Sequence, residues 1–241
     1  LFIQAIIFGD GGILSFGANC FNIAFILPFT GFFIYKNLNK IHLSPFYHKC
    51  TIFLSAYISI NLAAFFTALE LGIQPLLFVD NLAQPLYCPY PLWISIPAMA
   101  LSHLTIAGIA EGLFTLSLYL FILKTSPNII YDCQQIKLNS IFSLLAFLII
   151  ISPLGLIAEG TAWGEWAPEE ILNDTSSGVP LGFIPEKLLN GFNYEAFFPD
   201  YTMSGTTDIL AYIASAIIGV ALLIIIFKIL GSIIYAKKQS L

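Results

Sequence analysis

The chain has 241 residues, of which 58% are hydrophobic and only 10% charged; a soluble domain would carry about 25% charged residues. The long runs of Leu, Ile and Phe identify an integral membrane protein, and because they are continuously apolar rather than alternating at period two they favour helices over a β-barrel. The net charge of −5, with no arginine and no basic patch, gives a nucleic-acid partner no footing.

The first segment, LFIQAIIF, opens in apolar sequence without the charged leader of a signal peptide. It reads as the tail of a helix whose start lies upstream, so the chain is read as a fragment of a longer protein. The stretch Gly9–Tyr35 follows: a glycine turn around a single acid, Asp10, then an apolar run carrying two amides, Asn19 and Asn22. Their three-residue spacing puts both on one helix face. Buried amides are costly unless paired, so this helix is expected to carry a polar seam.

The first full span runs from about 13 to 36, followed by the polar loop KNLNKIHLSPFYHK. The second covers about 46–74 and runs into the proline-bounded segment 75–91. The third covers about 92–124, with Pro91 and Pro97 suiting its first turns. A short loop with Asp132 and Lys137 leads to the fourth span, 138–158. A long polar segment, 159–206, precedes the fifth, 207–235. Each span meets the bilayer requirement of roughly 20 residues. The expected fold is all-α: a polytopic helical membrane protein with about five full transmembrane helices plus the end of a sixth. Its expected parts are a membrane domain over 1–158, an extracytoplasmic segment over 159–206, and a C-terminal transmembrane helix with a cytoplasmic tail over 207–241.

Lysine placement predicts the orientation. Lys36, Lys40 and Lys49 follow span one, Lys124 and Lys137 flank the loop after span three, and Lys228, Lys237 and Lys238 lie at or near the end of span five. Alternation puts all of these on one side, with only Lys187 opposite, and the positive-inside rule makes that side cytoplasmic. Gly9–Gly12 then face outside and the C-terminus inside. In the outer segment Trp163 and Trp166 read as interfacial anchors, and Ala167-Pro168-Glu169-Glu170 as a helix start.

Ionisable groups inside spans default to functional hypotheses, and there are three clear cases: Glu70, His103 and Glu111. Glu70 either serves a site or simply reaches the interface. His103 and Glu111 are eight residues apart, two turns, and would share one face with Ala107 between them. Their competing readings are a buried polar network lining a site and a structural bond between helices. No catalytic constellation is visible. His103 and Glu111 do not form H-E-x-x-H, and no glycine pattern matches a P-loop. His42 and His48 read as solvated loop residues. Cys20, Cys50, Cys88 and Cys133 are scattered without a C-x-x-C pair and read as apolar filler. The chain is therefore not expected to be an enzyme or to hydrolyse ATP; energy for transport would come from an ion gradient or a partner. A gradient-driven carrier would predict an inverted repeat, which is not visible. A membrane-embedded enzyme using His103 and Glu111 as an acid/base pair lacks any nucleophile or metal motif.

GDGGILSFGANCFNIAFILPFTGFFIYK resembles the signature stretch of the CbiM/NikM family, the substrate-capture membrane subunits of energy-coupling-factor transporters for cobalt and nickel. TALELGIQP (67–75), SHLTIAGIAEGL (102–113) and SPLGLIAEGTAWGEWAPEE (152–170) match later family motifs in order. PDYTMSG (199–205), followed by a last span, is similar to the C-terminal extension of longer members, akin to the small accessory subunit. The resemblance implies capture of Co²⁺ or Ni²⁺ as transported ions, with no covalently bound cofactor. It also implies a transmembrane coupling subunit and cytoplasmic ATPase subunits as partners, with a small accessory membrane subunit where the C-terminal extension does not replace it. The setting would be a bacterial or archaeal cell membrane, and cobalt members commonly feed cobalamin biosynthesis. In the family the metal is held by a Met-His N-terminus and an early histidine, positions that precede Leu1. No direct metal ligand is therefore assigned here. Asn19, Asn22, His103 and Glu111 match motif positions and are expected to line the pocket or support its ligands. Asp10 is expected to attract cations at the entrance.

Overall fold

The computed structural model describes residues 1–40, 44–127, 138–157, 161–192 and 194–239. His42 and Cys133, and the loop expected around Asp132 and Lys137, lie outside these residues. Five helices are long and apolar enough to cross a membrane. They are α1 (Phe16–Leu38), α2 (Pro45–Leu77), α3 (Leu92–Thr125), α4 (Leu138–Ile151, continued by a 3₁₀ stretch Ser152–Ile157) and α6 (Asp208–Gln239). A short helix α5, Pro168–Asn173, lies between α4 and α6. Among the described residues no β-strand forms; one antiparallel bridge, Val79 to Pro85, closes the loop after α2. The protein is thus a multi-pass all-α membrane protein.

The expected spans match the observed helices within a few residues, with one instructive exception. Helix α2 runs through Pro75 to Leu77 instead of stopping before the proline. The missing proline N–H falls in the last turn, which Phe78 N–H closes onto Gln74 O at 2.9 Å. A membrane helix tolerates proline where the freed backbone finds other partners.

The chain forms two compact units. One comprises Leu14–Ile136 with Gly160–Asn193; the other comprises Leu1–Ile13, Lys137–Glu159 and Tyr194–Leu241. In the first, α2 is the central helix. Its buried positions are mostly small: Thr51, Ser55, Ala56, Ser59, Ala63, Ala64, Ala68 and Gly72. Small residues let helices approach closely where lipid supplies no hydrophobic drive. Glycines of the neighbours complete the fit: Gly112 of α3 lies under the Phe53 ring and Gly108 under Tyr57 and Asn61. Ser95 of α3, fully buried, donates to Ala68 O of α2 at 2.8 Å. Trp163, from the segment before α5, packs on the buried cluster of Ala64, Ala68 and Met99.

In the second unit a short π-wound turn, Gln4–Phe8, ends at Gly9 in the left-handed region, φ 72. Residues 194–201 wrap this turn, and α6 packs against the 3₁₀ end of α4.

Candidate functional site

Two spans contain π-wound turns, and each holds a residue singled out from the sequence. In α1 the turn covers Cys20–Ile26, with Leu27 N–H reaching back five residues to Asn22 O. In α3 it covers His103–Ala107, with Gly108 N–H reaching His103 O. Such single-turn widenings are frequent at functional sites.

Asn22 is 1% exposed. Its Nδ2 donates to Glu70 Oε2 at 2.7 Å and to Thr67 Oγ1 at 3.1 Å, both on α2. Thr67 spends its own hydroxyl proton on Ala63 O at 3.2 Å, which leaves its oxygen free to accept. The amide orientation is therefore forced, since only Nδ2 can face the carboxylate. Its Oδ1 is left buried without a partner among the described residues. Glu70 thus bonds across to α1, and Thr67 completes a cluster that the sequence reading did not name. Asn19 lies half-buried in the last α-turn before the widening.

His103 and Glu111 bond within α3. His103 Nδ1 lies 2.9 Å from Met99 O and 3.1 Å from Ser102 Oγ. A carbonyl can only accept, so Nδ1 carries the proton and donates to Met99 O. Glu111 accepts from Thr115 Oγ1 at 3.0 Å. In a straight helix their eight-residue spacing would overshoot two turns by about 80°. The widened turn absorbs about one residue and brings the spacing back towards two turns. Tyr57 OH donates to Leu104 O, within that turn, at 2.9 Å. The expected site residues therefore form separate groups: Asn22 with Glu70 and Thr67 between α1 and α2, and His103 and Glu111 each bonded within α3. Among the described residues no set of three or more His, Cys, Asp or Glu side chains could hold a metal ion.

Asp10 belongs to a third group. Its Oδ2 accepts from Gln4 Nε2 at 2.8 Å and from the Tyr201 hydroxyl at 2.5 Å. Burial and then the Asp10 carboxylate push the Tyr201 phenol up. Both residues stand in motifs of the sequence, but nothing in those motifs signals that they pair.

The segment 161–192 of the first unit is latched by aromatic rings. Trp163 and Trp166, expected as interfacial anchors, pack on each other with centroids 5.0 Å apart and on Tyr90 at 5.9 and 5.5 Å. Tyr90, 1% exposed, donates to Asp174, as does Trp166 Nε1 at 3.2 Å. Trp163 Nε1 donates to Ser176 Oγ at 2.9 Å. Helix α5 starts at Pro168 as its sequence predicts. Glu170 accepts from the Thr161 hydroxyl at 2.6 Å and the Ala167 N–H at 3.0 Å, and those bonds pull its carboxyl below the usual range. Burial raises the Cys88 thiol to about 11, so it stays protonated at neutral pH and is a poor metal ligand there.

Asp174 makes the latch pH-sensitive. Burial opposes its charge, but hydrogen bonds from Ser176, Tyr90 and Trp166 outweigh this and hold its carboxyl below the ordinary 3.8. A depressed carboxylate contributes stability that is present above its unfolded value and is lost as pH falls through its folded value. Tryptophan emission of the detergent-solubilised chain should stay constant down to about pH 4 and red-shift below it. Asp174→Asn should be shifted already at pH 7 and lack the acid step.

Amide, carboxylate and imidazole groups held inside apolar spans define a polytopic helical membrane protein built to handle a polar solute. The chain belongs to the CbiM family: the family described as the cobalt uptake substrate-specific transmembrane region matches residues 1–129, and the PDGLE domain matches residues 138–236. The probable fused nickel transport protein LarMN of Lactiplantibacillus plantarum is 39% identical over 229 residues, covering 95% of this chain and 69% of that protein. The fused nickel transport protein NikMN of Rhodobacter capsulatus is 37% identical over 240 residues, covering 93% and 69%. A crystal structure of a truncated transition metal transporter is 48% identical, covering 51% of this chain and 56% of that one, with a TM-score of 0.48. Residues 161–192 lie within the PDGLE match yet fold with the unit that contains α1 to α3.

Proposed function

We propose that this chain is the membrane subunit that captures Ni²⁺ or Co²⁺ for uptake by an energy-coupling-factor transporter. The observation that carries this reading is the co-linear similarity to fused nickel transport proteins, which extends over 95% of the chain for LarMN. A transmembrane coupling subunit and cytoplasmic ATPases would supply the energy, since the sequence holds no P-loop. The lysine distribution supports a cytoplasmic C-terminus and an outward-facing Gly9–Gly12 turn. The cation would thus arrive beside Asp10 and lose water as it enters the spans. There, charges and dipoles act in a low dielectric and are worth more than in water. Nitrogen donors suit both metals; His103 is an intramembrane nitrogen that could act as a supporting group. Asn22 and Glu70 would hold the surrounding polar frame in place.

The test is metal content by mass spectrometry in cells that lack their own nickel and cobalt importers. The full-length protein expressed with its partners should raise nickel or cobalt above the empty strain, and the metal that accumulates identifies the cargo. Equal content in both strains would sink the reading. His103→Ala should raise the half-saturating metal concentration by about tenfold, the lower end for groups that support metal ligands.

A further inference from the structure

The GDGG turn and the PDYTMSG motif lie at opposite ends of the chain but meet within one compact unit. The turn belongs to the CbiM match and the motif to the PDGLE match. Gly9, Gly11 and Gly12 have φ of 72, 74 and 70, a conformation that only glycine adopts freely. The turn closes through Gly12 N–H to Gly9 O at 3.4 Å, and residues 194–201 pack against it and the helical turn before it. Tyr194 OH donates to Ile6 O at 3.0 Å, and Phe198 N–H to Ile7 O at 2.9 Å. These bonds take up carbonyls at the end of the first helical turn, where intrahelical donors run out. The Ala196 side chain lies 3.1 Å from where a Cβ on Gly9 would stand.

Tyr201 completes the clamp. Its hydroxyl donates to Asp10, and its ring stacks on Phe8 with centroids 4.9 Å apart at 30°. Asp200 and Tyr201 both adopt left-handed backbone, φ 49 and 60. Aspartate tolerates that region, but a bulky tyrosine enters it only where surrounding structure holds it. Ser215 Oγ, on α6, donates to Tyr201 O at 3.3 Å and Tyr212 packs 5.6 Å from the ring. The strained residue is therefore anchored to the last span at one end and to the sole acid of the glycine turn at the other.

We infer that Tyr201 is a positioning residue through which the PDGLE part of the chain sets the geometry of the Gly9–Gly12 turn and the carboxylate of Asp10. The inference deepens the proposed cation uptake and rests on it only for its transport readout; the structural readout stands alone.

Hydrogen exchange of the full chain in detergent gives the structural arm. Tyr201→Phe should speed exchange of the amides between Phe8 and Ile13 by tenfold or more, with α2 and α3 unchanged. Unchanged exchange in the turn would overturn the inference. In the uptake assay Tyr201→Phe should raise KM for Ni²⁺ or Co²⁺ about fivefold with the maximal rate within about twofold. A purely structural role would instead lower the maximal rate through lost protein and leave KM alone. Asp10→Asn should raise KM similarly, and the double variant should be no worse than either single one. Additive effects would show that the two residues act separately and would overturn the pairing. If the wild type moves neither metal, the transport reading fails while the exchange result still decides the positioning role.

Discussion

Gly72→Ala is expected to cost about 3 kcal/mol or more, at the upper end of the range for overpacking a close-packed interior. A Cβ at Gly72 would stand 2.2 Å from Ser95 Oγ, 2.8 Å from Leu92 Cδ2 and 2.9 Å from Leu92 Cα. The first of these atoms cannot swing aside cheaply, because Ser95 is fully buried and its hydroxyl is bonded to Ala68 O at 2.8 Å. The last is backbone, so relief requires α3 to move away from α2. That movement would open the packing of Met99 and Trp163 on Ala64 and Ala68 and loosen the latch around Tyr90. Denaturant titration of the purified protein in detergent measures the loss. Gly72→Ala with Ser95→Ala should recover only part of it, since Leu92 remains. Gly17→Ala, whose Cβ would meet nothing within 4 Å, should be neutral or slightly stabilising as a helix-propensity gain. A Gly72→Ala protein as stable as the Gly17 control would mean that the two helices are not packed this closely.

The spans were legible because a run of about 20 apolar residues has few alternatives. Side-chain pairing across spans was not. Asn19 and Asn22 announced a polar seam, but nothing in the run around Asn22 says that its amide meets Thr67 and Glu70, 45 and 48 residues away. The π-wound turns were equally hidden. They arise where tertiary contacts such as Tyr57 to Leu104 O disturb the i to i−4 ladder. Straight-helix counting therefore misjudges the angle between His103 and Glu111. Trp163 and Trp166 read as membrane anchors in the sequence, and the structure packs both on Tyr90. Their sequence signal, aromatic residues flanking a polar loop, is the same in either case. Tyr201 and Asp10 sit in motifs that stand out separately, yet their contact across 191 positions depends on topology that local patterns do not encode.

Asn22→Ala should destabilise the protein by about 3 kcal/mol, because it strips an amide donor from the Glu70 carboxylate, and an unsatisfied charged group is among the costlier losses. Glu70→Ala should cost less, about 1–2 kcal/mol, since Asn22 keeps Thr67 as a partner at 3.1 Å. The double variant should be milder than the sum of the two by at least about 1 kcal/mol, the signature of groups in direct contact. Replacing both partners with apolar residues of similar size, Asn22→Leu with Glu70→Met, separates stability from function. A polar pair held partly inside the protein can be exchanged for apolar packing at little cost, and this exchange also removes Asn22 Oδ1, which lacks a partner among the described residues. The apolar variant should therefore fold to near wild-type yield. If the pair frames the cation path, metal uptake should fall more than tenfold despite that yield. Uptake at the wild-type level would reduce the pair to a contact joining α1 to α2.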